Sequence, residues 1–363
     1  MKFLHLLASG NTGGIETLCK DYGVFSNIDN RFIFPWNGGA TTEEMKNANL
    51  NVIELKLSKK DLYGTLRAIY RVCKDEKIDA IVEHHTSPIL LFYLVLLKKR
   101  FPQIKTVAYA HCNAGDMQGG NGNRGLTIKK WLIKKSFQKV DCVVAISRFV
   151  EESLIKQFHI SADKITLIYN GVDVEKMATI LHPKHSPAEI IYVGRLIEQK
   201  GVQVILKALK RLPEIVDWNF SIVGDGEYRS NLERQVLDLG LGQRVTFLGN
   251  CRNVPELLAQ ADIFVHAPIL EEGFGITIVE AMAAGILCIG SKSGAIPEII
   301  KHMVNGYLFE KGAYEELAQL LLSSINEYDT EEKKIVRRNA ISTAKCFSVE
   351  SFAENLDEIL SQK

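Results

Sequence analysis

Short, continuous apolar runs alternate along the chain with longer segments in which apolar residues recur every three or four positions. The runs before residue 172 are KFLHLLA, RFIFP, NVIELKL, DAIVEHH, KTVAYAH, DCVVAIS and ITLIYNG. Runs of this length, separated by helix-length stretches, predict parallel strands buried on both faces and covered by helices. The polar stretch EKMATILHPKHSPAE, at 175–189, breaks the alternation and reads as a linker between domains. The pattern then resumes with IIYVG, NFSIVG, VTFLG, DIFVHAP, ILCIGS and GYLFE. Two doubly wound α/β domains are expected, over 1–172 and 173–345, each able to take a ligand at the carboxyl ends of its strands.

Size and composition agree with that division. A chain of 363 residues exceeds a usual single core, and 46% hydrophobic with 24% charged residues is ordinary for a globular enzyme. The start, MKFLHLLASG, lacks the charged and apolar regions of a secretory signal and reads as a strand. The longest apolar run, ILLFYLVLL at 89–97, is too short to span a bilayer. Seven scattered cysteines without a C-x-x-C pair point to reduced thiols in a cytoplasm and away from a zinc site. The net charge of +1 conceals a split. Through residue 172 there are 24 Lys and Arg against 16 Asp and Glu, a net +8, and the remainder is −7. Ten basic residues against Asp116 alone fall within 94–139, so the first half is expected to face an anionic surface or substrate.

The candidate chemistry sits where strands end. GNTGGIE follows the first strand, and Gly10, Gly13 and Gly14 make a turn into a helix expected from Ile15. Its spacing is not that of a dinucleotide fingerprint, which disfavours a nicotinamide enzyme. In YVGRLIEQKGV, Arg195 and Lys200 lie on a loop feeding a helix, an arrangement suited to a diphosphate. Asp225 and Gly226, in VGDGEYR, read as a turn and cap. In EEGFGITIVEAMAAG, residues 271–285, Glu272 and Glu280 flank a Gly-Phe-Gly step. A helix follows that step and is stopped by Gly285. Carboxylates accept hydrogen bonds from hydroxyls, whereas helix N-termini and basic side chains suit phosphates. A sugar joined through a diphosphate to a nucleoside meets both demands.

These residues resemble the retaining glycosyltransferases of family 4. The resemblance runs through GNTGGIE, YNGVD at 169–173, VGRLIEQKG, VGDGEYR, GFGITIVEAMAAG and SGAIPEII, nearly the whole chain. It implies the GT-B fold, two Rossmann-like doubly wound domains facing a central cleft, with a C-terminal helix over 346–363 returning to the first domain. It also implies that Glu272 and His111 touch the donor sugar and that Glu280 reaches the nucleotide ribose. Arg195 and Lys200 would neutralise the diphosphate. The backbone of Gly273, Phe274, Gly275 and Ile276 would bind sugar and phosphate oxygens, and the Gly13–Gly14 turn would close over the diphosphate. His111 alone reads as readily as a structural histidine at a strand end, and Glu280 as a helix cap or solvated residue. The pair His84–His85 lacks a carboxylate or cysteine at metal-ligand spacing, so no metal is expected. SGAIPE departs from the family, which usually has a second glycine where Ala295 stands.

NAGDMQGGNGNRG, at 113–125, reads as a mobile loop on the acceptor side. In the helix-like LTIKKWLIKKSFQKV that follows, Ile133, Phe137 and Val140 share one face. Lys130 and Lys134 occupy another, with Trp131 exposed between them, which suits an interfacial helix on anionic lipid. Without aromatics repeated on a strand face, nucleic acid is disfavoured. The sequence therefore reads as a cytoplasmic, metal-independent retaining glycosyltransferase, peripheral at the inner face of the membrane. It would move a hexose or N-acetylhexosamine from a nucleotide sugar, UDP-linked by expectation, to a lipid-linked saccharide in surface polysaccharide synthesis. The rivals are a nucleotide-sugar 2-epimerase and a non-catalytic accessory subunit on the same scaffold.

Overall fold

The computed structural model describes the chain except for Thr12, residues 116–123 and 178–183, and Lys363; in the helix Arg124–Lys139 side chains are described from Lys129 onward. The Gly-rich stretch after His111 thus lies mostly outside the described residues. The chain forms two compact units, Met1–Gly171 with Val349–Lys363, and Val172–Ser348.

Each apolar run quoted above becomes a strand. In the first unit these are β1 (Lys2–Leu6), β2 (Asp29–Phe34), β3 (Asn51–Glu54), β4 (Ala80–Glu83), β5 (Lys105–Ala110), β6 (Cys142–Ala145) and β7 (Ile165–Leu167). They pair in parallel in the order β3-β2-β1-β4-β5-β6-β7. Parallel strands need crossovers, and the helices that make them cover both faces. All four residues of β4 and of β6 are consequently buried, whereas β3 at the edge is only half-buried. The strand order reverses between β1 and β4, and a reversal opens a crevice at the carboxyl ends.

The second unit repeats the plan with β8 (Ala188–Val193), β9 (Trp218–Val223), β10 (Val245–Gly249), β11 (Ile263–His266), β12 (Leu287–Ser291) and β13 (Tyr307–Phe309). Their order is β10-β9-β8-β11-β12-β13, all parallel, with the reversal between β8 and β11. Ile190, Tyr192, Val265 and Ile289 of the sheet pack with Ile205 and Leu209 of the helix Val202–Lys210, and with Leu317 and Leu321 of Tyr314–Glu327. Of the expected linker at 175–189, Val174–Lys176 forms a single 3-10 turn and β8 already begins at Ala188.

The last helix, Val349–Ser361, packs on the helix Gly14–Phe25 of the first unit. Its apolar face buries Phe352, Leu356 and Leu360. Its polar anchor is Asp357, which accepts hydrogen bonds from the Tyr22 hydroxyl at 2.6 Å, the Ser26 hydroxyl at 2.7 Å and the Asn27 amide at 3.2 Å. Removing the carboxylate takes away the acceptor of the buried Tyr22 hydroxyl, a loss of about 1–3 kcal/mol. Asp357→Ala is therefore expected to speed hydrogen exchange of the Gly14–Phe25 amides and lower the first unit's urea midpoint. Unchanged exchange there would refute the anchor.

Candidate functional site

In the second unit, the loops leaving β8 and β11 meet at the strand-order reversal. The first carries Arg195 and Lys200 and ends at Gly201, whose backbone is left-handed at φ +71°. A β-carbon at Gly201 would stand 1.7 Å from the Ala267 carbonyl oxygen, so only glycine lets the two loops lie together. The Ile269 amide, bonded to the Gln199 carbonyl at 2.9 Å, closes the contact.

That approach brings Lys200 Nζ to 2.5 Å from Glu272 Oε2, and the same oxygen accepts from His266 Nε2 at 3.1 Å. Burial by itself would raise the Glu272 carboxyl; the hydrogen bond from His266 and the Lys200 charge outweigh it and hold the group well below the ordinary carboxylate range. Burial lowers the His266 imidazole despite its acidic partner, so it is a neutral donor through Nε2, and its buried Nδ1 has no hydrogen-bond partner among the described residues. Arg195 is exposed, and its backbone carbonyl is held by the Tyr192 hydroxyl at 3.1 Å.

The loop after β12 supports the one carrying Glu272. The Ser291 hydroxyl donates to the Pro268 carbonyl, that of Ser293 to Leu270, and the Ala295 amide to the Glu272 carbonyl at 2.9 Å. The left-handed residue here is Gly294, φ +52°, while Ala295 has φ −82°. The alanine that departs from the family pattern thus occupies a position with no need of glycine. Gly275, at φ +110°, turns the chain into the helix Ile276–Ala284, whose first N–H groups have no intrahelical acceptor. Phe274 anchors this turn by packing edge-on against Phe347, ring centroids 5.5 Å apart. Glu280 is half-buried in the second turn of the helix, and Gly285 ends it at φ +80°.

The first unit gathers histidines at its own reversal. His5 of β1 and His84, just after β4, share a hydrogen bond of 2.9 Å between Nδ1 and Nε2. The other His5 nitrogen meets Asn30 Oδ1 at 3.1 Å, and Asn30 Nδ2 donates to Ser26, which donates to Asp357. Burial pushes His5 down to about 4 and also lowers His84, so both are neutral. Asn30 Oδ1 can only accept, which places the His5 proton on Nε2 and makes its Nδ1 an acceptor for His84 Nε2–H. His84 Nδ1 is then a buried acceptor without a partner among the described residues. His111 stacks on Tyr109 at 4.4 Å, and burial, then His85, lower it to about 3. Burial raises Glu83 to about 8, a neutral carboxylic acid at pH 7 that accepts the His85 and Ser87 amides.

Of the residues singled out from the sequence, Lys200 and Glu272 touch. Arg195 shares the Lys200 loop, and Gly273, Phe274, Gly275, Ile276 and Glu280 follow Glu272 on one turn and helix. Gly13, Gly14 and His111 belong to the first unit; the helix there begins at Gly14 rather than Ile15. Sequence reasoning passed over His266, His5, Glu83 and the pair Glu16–His85, although Glu16 closes the quoted GNTGGIE. Among the described residues no group of three His, Cys, Asp or Glu side chains is placed to hold a metal ion.

The architecture recurs in solved glycosyltransferases of the GT-B class. Anabaena Alr3699/HepE in complex with UDP superposes with a TM-score of 0.86 at 23% identity, over 99% of this chain and 100% of that one. Residues 31–176 match the model of Glycosyltransferase Family 4, and 173–345 that of Glycosyl transferases group 1. The chain belongs to this glycosyltransferase family. It is 30% identical over 252 residues to N-acetyl-alpha-D-glucosaminyl L-malate synthase of Bacillus anthracis, covering 66% of this chain and 64% of that protein. It is 28% identical over 260 residues to UDP-Gal:alpha-D-GlcNAc-diphosphoundecaprenol alpha-1,3-galactosyltransferase of Escherichia coli, covering 68% and 66%. The matches thus span just under two thirds of these two relatives.

A carboxyl lowered in the folded state stabilises the fold above its unfolded value and loses that contribution as pH falls through the lowered one. The stability gap between wild type and Glu272→Gln is therefore expected to be full above pH 4.5, the ordinary value, and to narrow below it. Its size is about 1–3 kcal/mol, from a half-desolvated charged hydrogen-bond pair. Urea midpoints of the second unit from pH 7 to 3 give the readout, and a gap independent of pH would contradict the assignment.

Proposed function

We propose that the chain is a retaining, metal-independent glycosyltransferase that moves a hexose or N-acetylhexosamine from a UDP-linked donor to a lipid-linked saccharide, in surface polysaccharide synthesis. The observation that carries the reading is the Lys200–Glu272–His266 group at the reversal of the second sheet, beside a helix N-terminus and the exposed Arg195. Without donor, Lys200 and Glu272 neutralise each other. A diphosphate draws Lys200 away and frees Glu272 to accept from sugar hydroxyls, so donor binding exchanges one ion pair for two ligand contacts. Arg195, Lys200 and the N–H groups of Gly275 and Ile276 then stabilise charge on the leaving diphosphate. The bond from the anomeric carbon to the phosphate oxygen breaks, and one to the acceptor oxygen forms on the same face. The acceptor's proton passes to the departing phosphate. The names of two neighbours support the chemistry: UDP is bound in the Anabaena structure, and the Escherichia coli relative is named for a UDP-linked donor and a lipid diphosphate acceptor.

The acceptor side is read from charge. Ile133 and Phe137 are buried in the helix Arg124–Lys139, and Val140 is buried just beyond its end, while Trp131 is 59% exposed beside exposed or half-buried Lys129, Lys130, Lys134 and Lys135. This helix packs against Pro88–Arg100, which is joined to Leu62–Asp75 by the bond from the Tyr93 hydroxyl to the Leu62 carbonyl at 2.7 Å. The helix Leu62–Asp75 carries a second exposed basic and aromatic set, Tyr63, 76% exposed, with Arg67 and Arg71. No helix of the described residues is long and apolar enough to cross a membrane, and peripheral attachment to anionic lipid at the cytoplasmic face suits this surface.

Labelled UDP-sugars incubated with a membrane glycolipid extract test the reading: transfer supports it, isomerised donor identifies an epimerase, and binding without turnover an accessory subunit. Arg195→Ala and Lys200→Ala are each expected to lose about 2–4 kcal/mol of transition-state stabilisation with the fold intact. Glu272→Gln is expected to lower turnover and Glu280→Gln to weaken nucleotide binding. Full activity in EDTA is expected, and strict dependence on a divalent metal would overturn the leaving-group chemistry. Replacing Lys129, Lys130, Lys134 and Lys135 with Ser is expected to release the protein from anionic vesicles at low salt; wild type that ignores such vesicles refutes the membrane assignment.

A further inference from the structure

His266 is the last residue of β11, at the reversal of the second sheet, and its backbone pairs with Gly290 of β12. It is 3% exposed. The imidazole lies nearly parallel to the rings of Phe264 on the same strand and Tyr192 on β8, with 12° and 11° between planes. Tyr192 is fixed in turn by its hydroxyl, which donates to the Arg195 carbonyl. From that frame His266 Nε2 reaches Glu272 Oε2 at 3.1 Å. Lys200 Nζ meets the same oxygen at 2.5 Å. Both bonds fall on Oε2, so Oε1 is the oxygen left for a ligand.

The two partners differ in what they do once a donor arrives. Lys200 carries its charge on a long stem and can leave for a diphosphate, whereas strand and rings hold His266 in place. The buried Nδ1 of His266 has no hydrogen-bond partner among the described residues, so a second ring proton there would be an N–H buried unmet. Burial lowers the ring against the pull of Glu272, and the Lys200 charge lowers it further. Burial, then the Glu272 charge, raise the Tyr192 hydroxyl, so that ring is neutral too, and Arg195 opposes this shift. The cation acting on the carboxylate is Lys200. Once it has gone, His266 remains as a neutral donor through Nε2 alone. Such a donor orients a carboxylate without cancelling its charge, which a lysine in the same place would do.

We propose that His266 is the positioning residue for the donor sugar: when the diphosphate takes Lys200, the imidazole keeps hold of Glu272 by Oε2 and leaves Oε1 to accept a sugar hydroxyl. The proposal rests on the transferase reading above and adds to it what retains the carboxylate in the loaded site. His266 acts through Glu272, so its loss is felt at the sugar and not at the UDP. Without its hydrogen bond, a largely buried carboxylate that has given up Lys200 is free to rotate or to take a proton.

The test compares wild type, His266→Gln, His266→Asn, Glu272→Gln and the double variant His266→Asn with Glu272→Gln. UDP is titrated calorimetrically. Turnover is measured with UDP-glucose, UDP-galactose and their N-acetylamino counterparts on a membrane glycolipid extract, and the donor that wild type uses is kept throughout. Glutamine places its amide nitrogen about where the imidazole has Nε2, and asparagine about where it has Nδ1, so the two share their chemistry and differ in reach. His266→Asn is expected to lose about 10–100-fold in donor kcat/KM, the worth of one charged hydrogen bond, with UDP affinity within about twofold of wild type. His266→Gln is expected to recover part of that loss. The double variant is expected to be no worse than Glu272→Gln alone, because the two residues act as one unit. The His266 hydrogen bond is the largest of the effects that lower the Glu272 carboxyl. Activity that needs the carboxylate fails as pH falls through its value, so the acid limb of kcat is expected at higher pH in His266→Asn than in wild type. Unchanged donor kinetics in His266→Asn, equal losses in the Asn and Gln variants, or additive losses in the double variant overturn the proposal and leave the transferase reading intact. So does UDP binding lost in both His266 variants, which makes the residue a part of the fold alone. Wild type that binds UDP but turns over none of these donors overturns the transferase reading, and the proposal with it.

Discussion

Burying charge beside a parallel sheet is the constraint around which the second unit is arranged. Glu272 is ionised in a place where burial opposes ionisation, so the surroundings must supply both a cation and a hydrogen-bond donor. Lys200 and His266 do so only because the β8 and β11 loops touch backbone to backbone at Gly201 and Ala267. The Ser291–Ala295 turn then fixes the Glu272 carbonyl from behind. Glycine at 201 and 294, serine at 291 and 293, and the tautomer of His266 follow from one buried carboxylate.

The first unit meets the same constraint in a different way. Its reversal point is lined with imidazoles that burial keeps neutral, and the carboxyl that lies deepest, Glu83, is neutral too. The carboxylate that remains there, Glu16, is met by the His85 ring and not by a lysine. The proton positions are instead settled by a chain of hydrogen bonds that runs from His84 through His5, Asn30 and Ser26 to the Asp357 carboxylate. One sheet edge is organised by charge and the other by tautomer.

Much of this was legible in the sequence. The strands of both sheets could be read because parallel strands buried on both faces leave uninterrupted apolar runs, and RFIFP or DIFVHAP has no competing helical period. The site was legible where glycine and charge share a strand end, as in EEGFG and GRLIEQKG. Pairing was not. Nothing in the spacing shows that Lys200 reaches Glu272, because the contact spans 72 residues of sequence and depends on a backbone approach that only coordinates display. His266 hid inside an apolar run, where a histidine reads as core. Glu16 and His85 were both in quoted segments, yet a carboxylate 69 positions from an imidazole carries no mark of partnership. Ala295 looked like a departure because the need for a left-handed residue falls one position earlier, on Gly294.

The helix Val349–Ser361 belongs to the first unit although all of the second unit precedes it in the chain. During synthesis the face of Gly14–Phe25 that receives it therefore stays open while some 177 residues, Val172–Ser348, are made and folded. Tyr22 and the Asn30–His5–His84 chain lack their terminal carboxylate for that whole interval. The first unit begins first and is completed last, so a ribosome stalled anywhere in the second would display a finished sheet with an exposed apolar groove, the kind of surface that chaperones hold.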